Sequence, residues 1–169
     1  METLKHLPDI RKYNYRGAVE QEFINPSLNT ICVEESKCNT GTIDNNFVSR
    51  GFYKCSGFAL KSKNADIFGF FHAWPSQELY QEELGKLEPL MNGEVILIEG
   101  SASTIKSNIL HNFLTRLKIR SVGTIHVETL LDKKRGYNTT FDVLFTPKEN
   151  QISVLRKEKY DNLLIFSAF

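Results

Sequence analysis

From residue 46 onward the chain alternates short apolar runs with polar turn material, and two stretches carry the three-to-four-residue period of a helix. The run FVSRGFYKCSGFALKS, a polar KNAD and then IFGFFHAW are rich in aromatic and small apolar residues, which predicts a strand pair around a turn over 46–74. Beyond Pro75, Ser76 is positioned to cap a helix running to about Leu90. Its apolar stripe would be Leu79, Tyr80, Leu84 and Leu87, with Gly93 in the turn that follows. EVILIEG then reads as a buried strand. Ser103 or Thr104 would cap a second helix, because Ile105, Ile109, Leu110, Phe113, Leu114 and Leu117 recur at helical spacing. Strand-like runs return at IRSVGTIHVET, TTFDVLF, QISVLR and NLLIFSAF, separated by DKKRGYN and TPKEN.

Residues 1–45 are patterned differently. Short apolar pieces, AVEQEF and NTICVEE, are mixed with Asn, Gly and Pro, which predicts one or two strands within considerable loop. The expected organisation is an N-terminal extension, 1–45, packed on a domain of residues 46–169 as one globular unit. With 169 residues and no repeat or heptad run, the pattern predicts an α+β fold, a strand-rich layered α/β sandwich with two main helices.

Composition narrows the function classes. The chain is 41% hydrophobic and 24% charged with a formal net charge of +1, and its acids and bases are interspersed, which gives no footprint for nucleic acid or an acidic membrane. No apolar run approaches the roughly 18–20 residues that cross a bilayer, and METLKHLPDIRKYNYRG has no apolar segment behind its charges. A soluble protein without membrane insertion is expected. The three cysteines are an odd and unevenly spaced set, so at least one thiol is free and a reducing, cytoplasmic setting is favoured.

Two residues invite chemistry. A cysteine nucleophile needs a base, a group that holds the base, and donors for the oxyanion formed at an attacked carbonyl. Cys55 and His72 supply the first two residue types, and Gly51, Lys54 and Ser56 surround Cys55 as its substrate and oxyanion region. Taken singly, each has a plainer reading: a small core thiol and a hydrogen-bonded core imidazole. His6, His111 and His126 have no spaced metal partner and no C-x-x-C is present, so no metal is expected. Gly100-Ser101-Ala102-Ser103 reads as a plain strand-to-helix turn, since neither phosphate-loop pattern occurs.

The order of the pieces adds more. Ser49-x-Gly51-x-x-x-Cys55, then Gly69-Phe-Phe-His72-Ala-Trp-Pro75, then LIEGSA, the helix SNILHNFLTRLKI, RSVGTIHVETL and DKKRGYNTTFDVLFTPKENQISV resemble the CheD family of chemoreceptor glutamine deamidases over residues 46–156. Serine at 49 replaces the family's threonine, and Lys54 stands where a small residue usually precedes the cysteine. The resemblance implies a CheD-like fold and a protein-glutamine deamidase without cofactor. In it Cys55 is the nucleophile, His72 the base and Ser49 the residue that holds the imidazole, and the reaction passes through a thioester. Its partner would be a protein carrying a reactive glutamine, either a chemoreceptor or, as in deamidating toxins of related fold, a host protein reached by a delivered effector, with or without a regulatory protein partner. Two alternatives stand beside it: a non-enzymatic protein-binding domain on the same fold, and a transglutaminase-like cysteine enzyme in which an amine replaces water.

Overall fold

Side-chain alternation along a strand sends successive residues to opposite faces, so a strand apolar on both faces must be covered on both. In the computed structural model, which describes residues 16–74, 81–100, 115–127, 131–132, 137–138, 140–156 and 163–169, this is the condition of most strands. One five-stranded sheet has the order β1-β3-β10-β11-β12, made of β1 (Thr30–Cys32), β3 (Asn46–Phe52), β10 (Phe141–Thr146), β11 (Gln151–Arg156) and β12 (Leu163–Ser167). The other has the order β2-β5-β4-β6-β7, made of β2 (Cys38–Gly41), β5 (Phe68–Ala73), β4 (Ser56–Lys61), β6 (Glu94–Gly100) and β7 (Arg120–Val127). Both are mixed: β1 runs parallel to β3 and β6 parallel to β7, while the remaining neighbours are antiparallel.

The sheets bury one face against each other. Phe47, Phe141, Phe145 and Val154 of the first sheet meet Ala59, Phe70, Ile96 and Ile125 of the second. On the outer face of the first sheet, Val48, Leu144 and Ile165 receive Val19 and Phe23 of α1 (Arg16–Ile24). Outside the second sheet, Phe58, Leu60, Phe71 and Leu97 pack with Leu87 of α2 (Gln81–Leu87) and Leu90 of the 3₁₀ turn that continues it. The result is a sheet-dominated α+β fold in four layers, helix, sheet, sheet, helix. Burying the side chain of a Phe or Leu contributes on the order of 2 kcal/mol, and both neighbouring layers draw on each strand.

Three expectations change. The 46–74 stretch makes three strands rather than a pair: β3 belongs to the first sheet, β4 and β5 to the second, and the chain crosses between sheets at 53–55. In the N-terminal stretch, AVEQEF is helical, with Val19 and Phe23 spaced four apart on one helix face, and β1 and β2 are edge strands of the two sheets. DKKRGYN, read as turn material, ends in a short ladder between β8 (Leu131–Asp132) and β9 (Tyr137–Asn138). The strand at EVILIEG and those at 120–127, 141–146, 151–156 and 163–167 lie where the pattern put them. Ser76, Leu79, Tyr80, Ser103, Thr104 and most of the second predicted helix lie outside the described residues, and residues 115–117 are helical. Among the described residues no helix is long and apolar enough to cross a membrane.

Candidate active site

The site is set by an irregularity in β3. Val143 pairs with Ser49 and Phe141 with Phe52, so Arg50 and Gly51 together oppose Asp142. Two residues against one is a β-bulge. It needs a residue that tolerates the left-handed region, and Gly51 sits at φ +78°. The Gly51 N–H donates to Asp142 Oδ1 at 3.0 Å, which satisfies the amide that the bulge removes from the ladder. In a regular strand, Ser49 and Gly51 would share the inward face. The extra residue moves the next inward position to Phe52, so a hydroxyl and an aromatic ring three residues apart both enter the space between the sheets.

Both land on His72. Its ring, fully buried on β5, is stacked by Phe52 with centroids 3.8 Å apart and planes 8° from parallel. Ser49 Oγ lies 2.8 Å from His72 Nδ1 and donates its own proton to Val33 O at 2.5 Å. A hydroxyl has one proton, so Nδ1–H must be the donor in the Ser49–His72 bond. That fixes the tautomer with the lone pair on Nε2, a buried atom with no hydrogen-bond partner among the described residues. Burial holds His72 well below the ordinary imidazole range, at about 4, so the ring is neutral near neutral pH.

Cys55 stands at the crossover between sheets, immediately before β4. Ser56 pairs with Ala73 and Gly57 with His72. Alternation therefore puts Cys55 on the face of Gly57, diagonal to His72, a relation in which Cβ atoms stand about 7 Å apart or somewhat less. Nothing projects from Gly57 between them. A Cβ there would meet Phe70 Cζ at 3.0 Å and Phe52 Cε1 at 3.3 Å, so the glycine lets these two rings close over the strand beside the site. The thiol is 2% exposed and its S–H donates to Glu35 Oε1 at 3.8 Å. Burial, followed by the negative charge and hydrogen bond of Glu35, pushes Cys55 up to about 12, against a backbone N–H of Tyr53 that favours the thiolate. The resting pair is thus a thiol beside a neutral imidazole. All three cysteines of the chain are free, Cys32 exposed, Cys38 and Cys55 buried. Cys38 sits in the layer with α2, its sulfur donating to Glu83 Oε2 at 3.0 Å.

Of the residues singled out in the sequence, Ser49 and His72 are in contact and Cys55 occupies the neighbouring diagonal position. The others serve differently from the expected oxyanion region. The Gly51 N–H is committed to Asp142, so this glycine contributes the bulge rather than a donor. The Ser56 side chain falls on the opposite face of β4, with Phe58 and Leu60, by alternation. Lys54 is exposed, its Nζ 5.7 Å from the Tyr53 ring centroid. Val33, Glu35, Phe52 and Asp142 also belong to the site, though not expected from the sequence. Only Asp142 carried a signal, a carboxylate within the apolar run TTFDVLF, where a buried charge requires a partner. Among the described residues no group of three or more His, Cys, Asp or Glu is arranged to hold a metal ion.

No protein-family model matches the chain, and no curated protein matches it. Among solved structures, the crystal structure of the C-terminal domain of CNFy from Yersinia pseudotuberculosis aligns with 83% of this chain at 10% identity and a TM-score of 0.33. The chain spans 62% of the length of that domain. A likeness of that size carries nothing about activity, which leaves the side chains of the site itself.

Proposed function

We propose that the protein is a cysteine-dependent amidohydrolase that converts a protein glutamine to glutamate and ammonia. The observation that carries this reading is the orientation of His72: Ser49 Oγ accepts from Nδ1–H and donates to Val33 O, which leaves the Nε2 lone pair in a buried site beside Cys55. A neutral imidazole accepts a proton only at its unprotonated nitrogen, so this orientation is the one a base for Cys55 needs.

The reaction follows from that geometry. As a glutamine carboxamide enters, Nε2 of His72 takes the Cys55 proton while the sulfur attacks the carbonyl carbon. Because thiol and imidazole are both neutral at rest, proton transfer and attack are coupled rather than preceded by a standing thiolate. The backbone N–H of Tyr53, which favours the thiolate at rest, is the donor for the developing oxyanion, a part expected of the residues around Cys55. The imidazolium then gives its proton to the departing nitrogen, the carbon–nitrogen bond breaks, and ammonia leaves a thioester. Water, deprotonated by Nε2, cleaves the thioester to glutamate and the free thiol. Ser49 acts throughout as the residue that keeps the imidazole in one tautomer. The resemblance to CheD enzymes supports the choice of a protein glutamine, on a chemoreceptor or on a host protein met by a delivered effector.

The experiment is incubation with a native cell lysate followed by peptide mass spectrometry for the roughly 1 Da gain that distinguishes glutamate from glutamine. Conversion by the wild type, lost in Cys55→Ala and in His72→Ala, is expected; equal conversion in all three sinks the assignment. One observation favours a second reading, a non-catalytic binding domain: the thiol is held protonated by burial and by Glu35. That reading requires that none of the three proteins converts glutamine. A primary amine added to the same incubation tests the transglutaminase-like variant, which would replace the 1 Da gain by the mass of the amine adduct.

A further inference from the structure

Glu35 belongs to no element of the proposed reaction, yet its carboxylate lies against the nucleophile, Oε1 3.8 Å from Cys55 Sγ. The turn that carries it is tied to both strands of the site. Val33 N–H donates to Val48 O at 2.8 Å and Val33 O accepts from Ser49 Oγ. Ser36 N–H donates to His72 O at 2.9 Å, and His72 N–H donates to Lys37 O at 3.0 Å. Lys37 N–H closes the turn on Glu34 O at 3.1 Å, and Ser36 takes the left-handed conformation, φ +67°, that such a tight turn requires. The backbone on either side of Glu35 is thereby pinned to β3 and β5. The Glu35 side chain itself is exposed, so its carboxylate meets solvent as well as the sulfur.

A carbonyl carbon bonded to Cys55 Sγ has its remaining substituents near that carboxylate. The carboxylate is acceptor-only. A carboxamide NH₂ group turned toward it donates a charge-assisted hydrogen bond, whereas a carboxylate in the same position meets a like charge. We propose that Glu35 is a specificity-determining residue, which admits a neutral primary carboxamide to Cys55 and repels a carboxylate, so that the substrate is favoured over its own product. This rests on the reading that Cys55 attacks a side-chain carboxamide. It also defines the substrate end more closely: an uncharged CH₂–CO–NH₂ terminus, with the nitrogen on the side of the 34–37 turn.

Iodoacetamide and iodoacetate test it without knowledge of the substrate, since they carry the same CH₂ group on a carboxamide and on a carboxylate. In both, the Cys55 thiolate forms a carbon–sulfur bond as iodide leaves. Peptide-resolved mass spectrometry gives the iodoacetamide-to-iodoacetate rate ratio at Cys55, divided by the ratio at exposed Cys32 of the same molecule. A normalised ratio of about ten is expected from a nearby, partly screened charge, with a loss of that preference in Glu35→Gln, its retention in Glu35→Asp and its decline as salt is raised. An unchanged ratio in Glu35→Gln overturns the proposal, and so does a wild-type protein whose Cys55 takes up neither reagent at pH 9. A Glu35-dependent ratio in a protein that converts no glutamine leaves the charge selection standing and removes the deamidase reading.

Discussion

The resting thiol at Cys55 is the feature on which the proposed chemistry turns, and its ionisation gives a quantitative prediction. With its titration pushed up to about 12, Cys55 is ionised at pH 8 in about one molecule in 10⁴, whereas an ordinary thiol near 8.5 is about one quarter ionised. The thiolate population is lower by about three orders of magnitude. A more basic thiolate is a better nucleophile, by about 0.4–0.5 of a logarithmic unit per pKa unit in disulfide exchange, which recovers about one and a half of those orders. Alkylation of Cys55 by iodoacetamide at pH 8 is therefore expected to run roughly 30- to 100-fold below a free model thiol. Its rate should climb about tenfold per pH unit through pH 10 with no plateau near 8.5. Glu35→Gln removes the neighbouring negative charge and should shift the curve to lower pH, leaving it above the ordinary range because burial is the larger cause. The assay is peptide-resolved alkylation kinetics from pH 6 to 11. A plateau at or below pH 8.5 in the wild type would refute the neutral-pair mechanism and indicate an activated thiolate instead.

Ser49→Ala removes the acceptor of the Nδ1 proton, and should cost about 1–3 kcal/mol of stability in denaturant unfolding together with most glutamine conversion, while Ser49→Thr restores both. His72 titrates at about 4 in the folded chain and near 6.5 when unfolded, so the unfolded state binds the extra proton between those values; stability present above pH 6.5 should fall by on the order of 3 kcal/mol toward pH 4. Comparing urea midpoints of wild type and His72→Gln at pH 7.5 and 4.5 checks that slope, which the variant should lack. Asp142→Leu removes the acceptor of the bulge amide and should disorder the Phe52–His72 stack, read as a shift of the His72 ring protons in NMR spectra, whereas Asp142→Asn keeps an oxygen for Gly51 and should preserve them.

What the sequence disclosed, and what it withheld, follow from the range of the interactions. The strand at 94–100 is legible because both its faces are apolar, and that at 151–156 because Ile152 and Val154 alternate with Gln151 and Ser153; polar turns precede both. The crossing at 53–55 is not, since Tyr53-Lys54-Cys55 carries no Pro or Gly to mark a change of sheet. Val19 and Phe23 are too few to display a helical stripe. Glu35 lies 20 residues from Cys55 and Asp142 lies 91 from Gly51, and no local pattern records a contact across such distances.

The Ser-x-Gly-x-x-x-Cys spacing can now be given a physical reason. Ser49 and Phe52 are an odd number of residues apart, so one strand presents both to His72 only if an extra residue breaks the alternation between them; Gly51 is that residue, and its φ of +78° is why a glycine stands there. Three residues later the chain has crossed to the second sheet, and Cys55 arrives diagonal to the imidazole that Ser49 orients and Phe52 covers. Two of the departures from the CheD pattern, at 49 and 54, then separate by location. Serine at 49 keeps the hydroxyl that bridges His72 and Val33, and loses only a methyl group. Lys54 points to solvent, where its size meets no constraint from the site. Threonine at 49 is consequently expected to support the proposed chemistry here, and a small residue at 54 to leave it unchanged, because the bulge and the crossover, rather than those two side chains, bring Cys55 and His72 together.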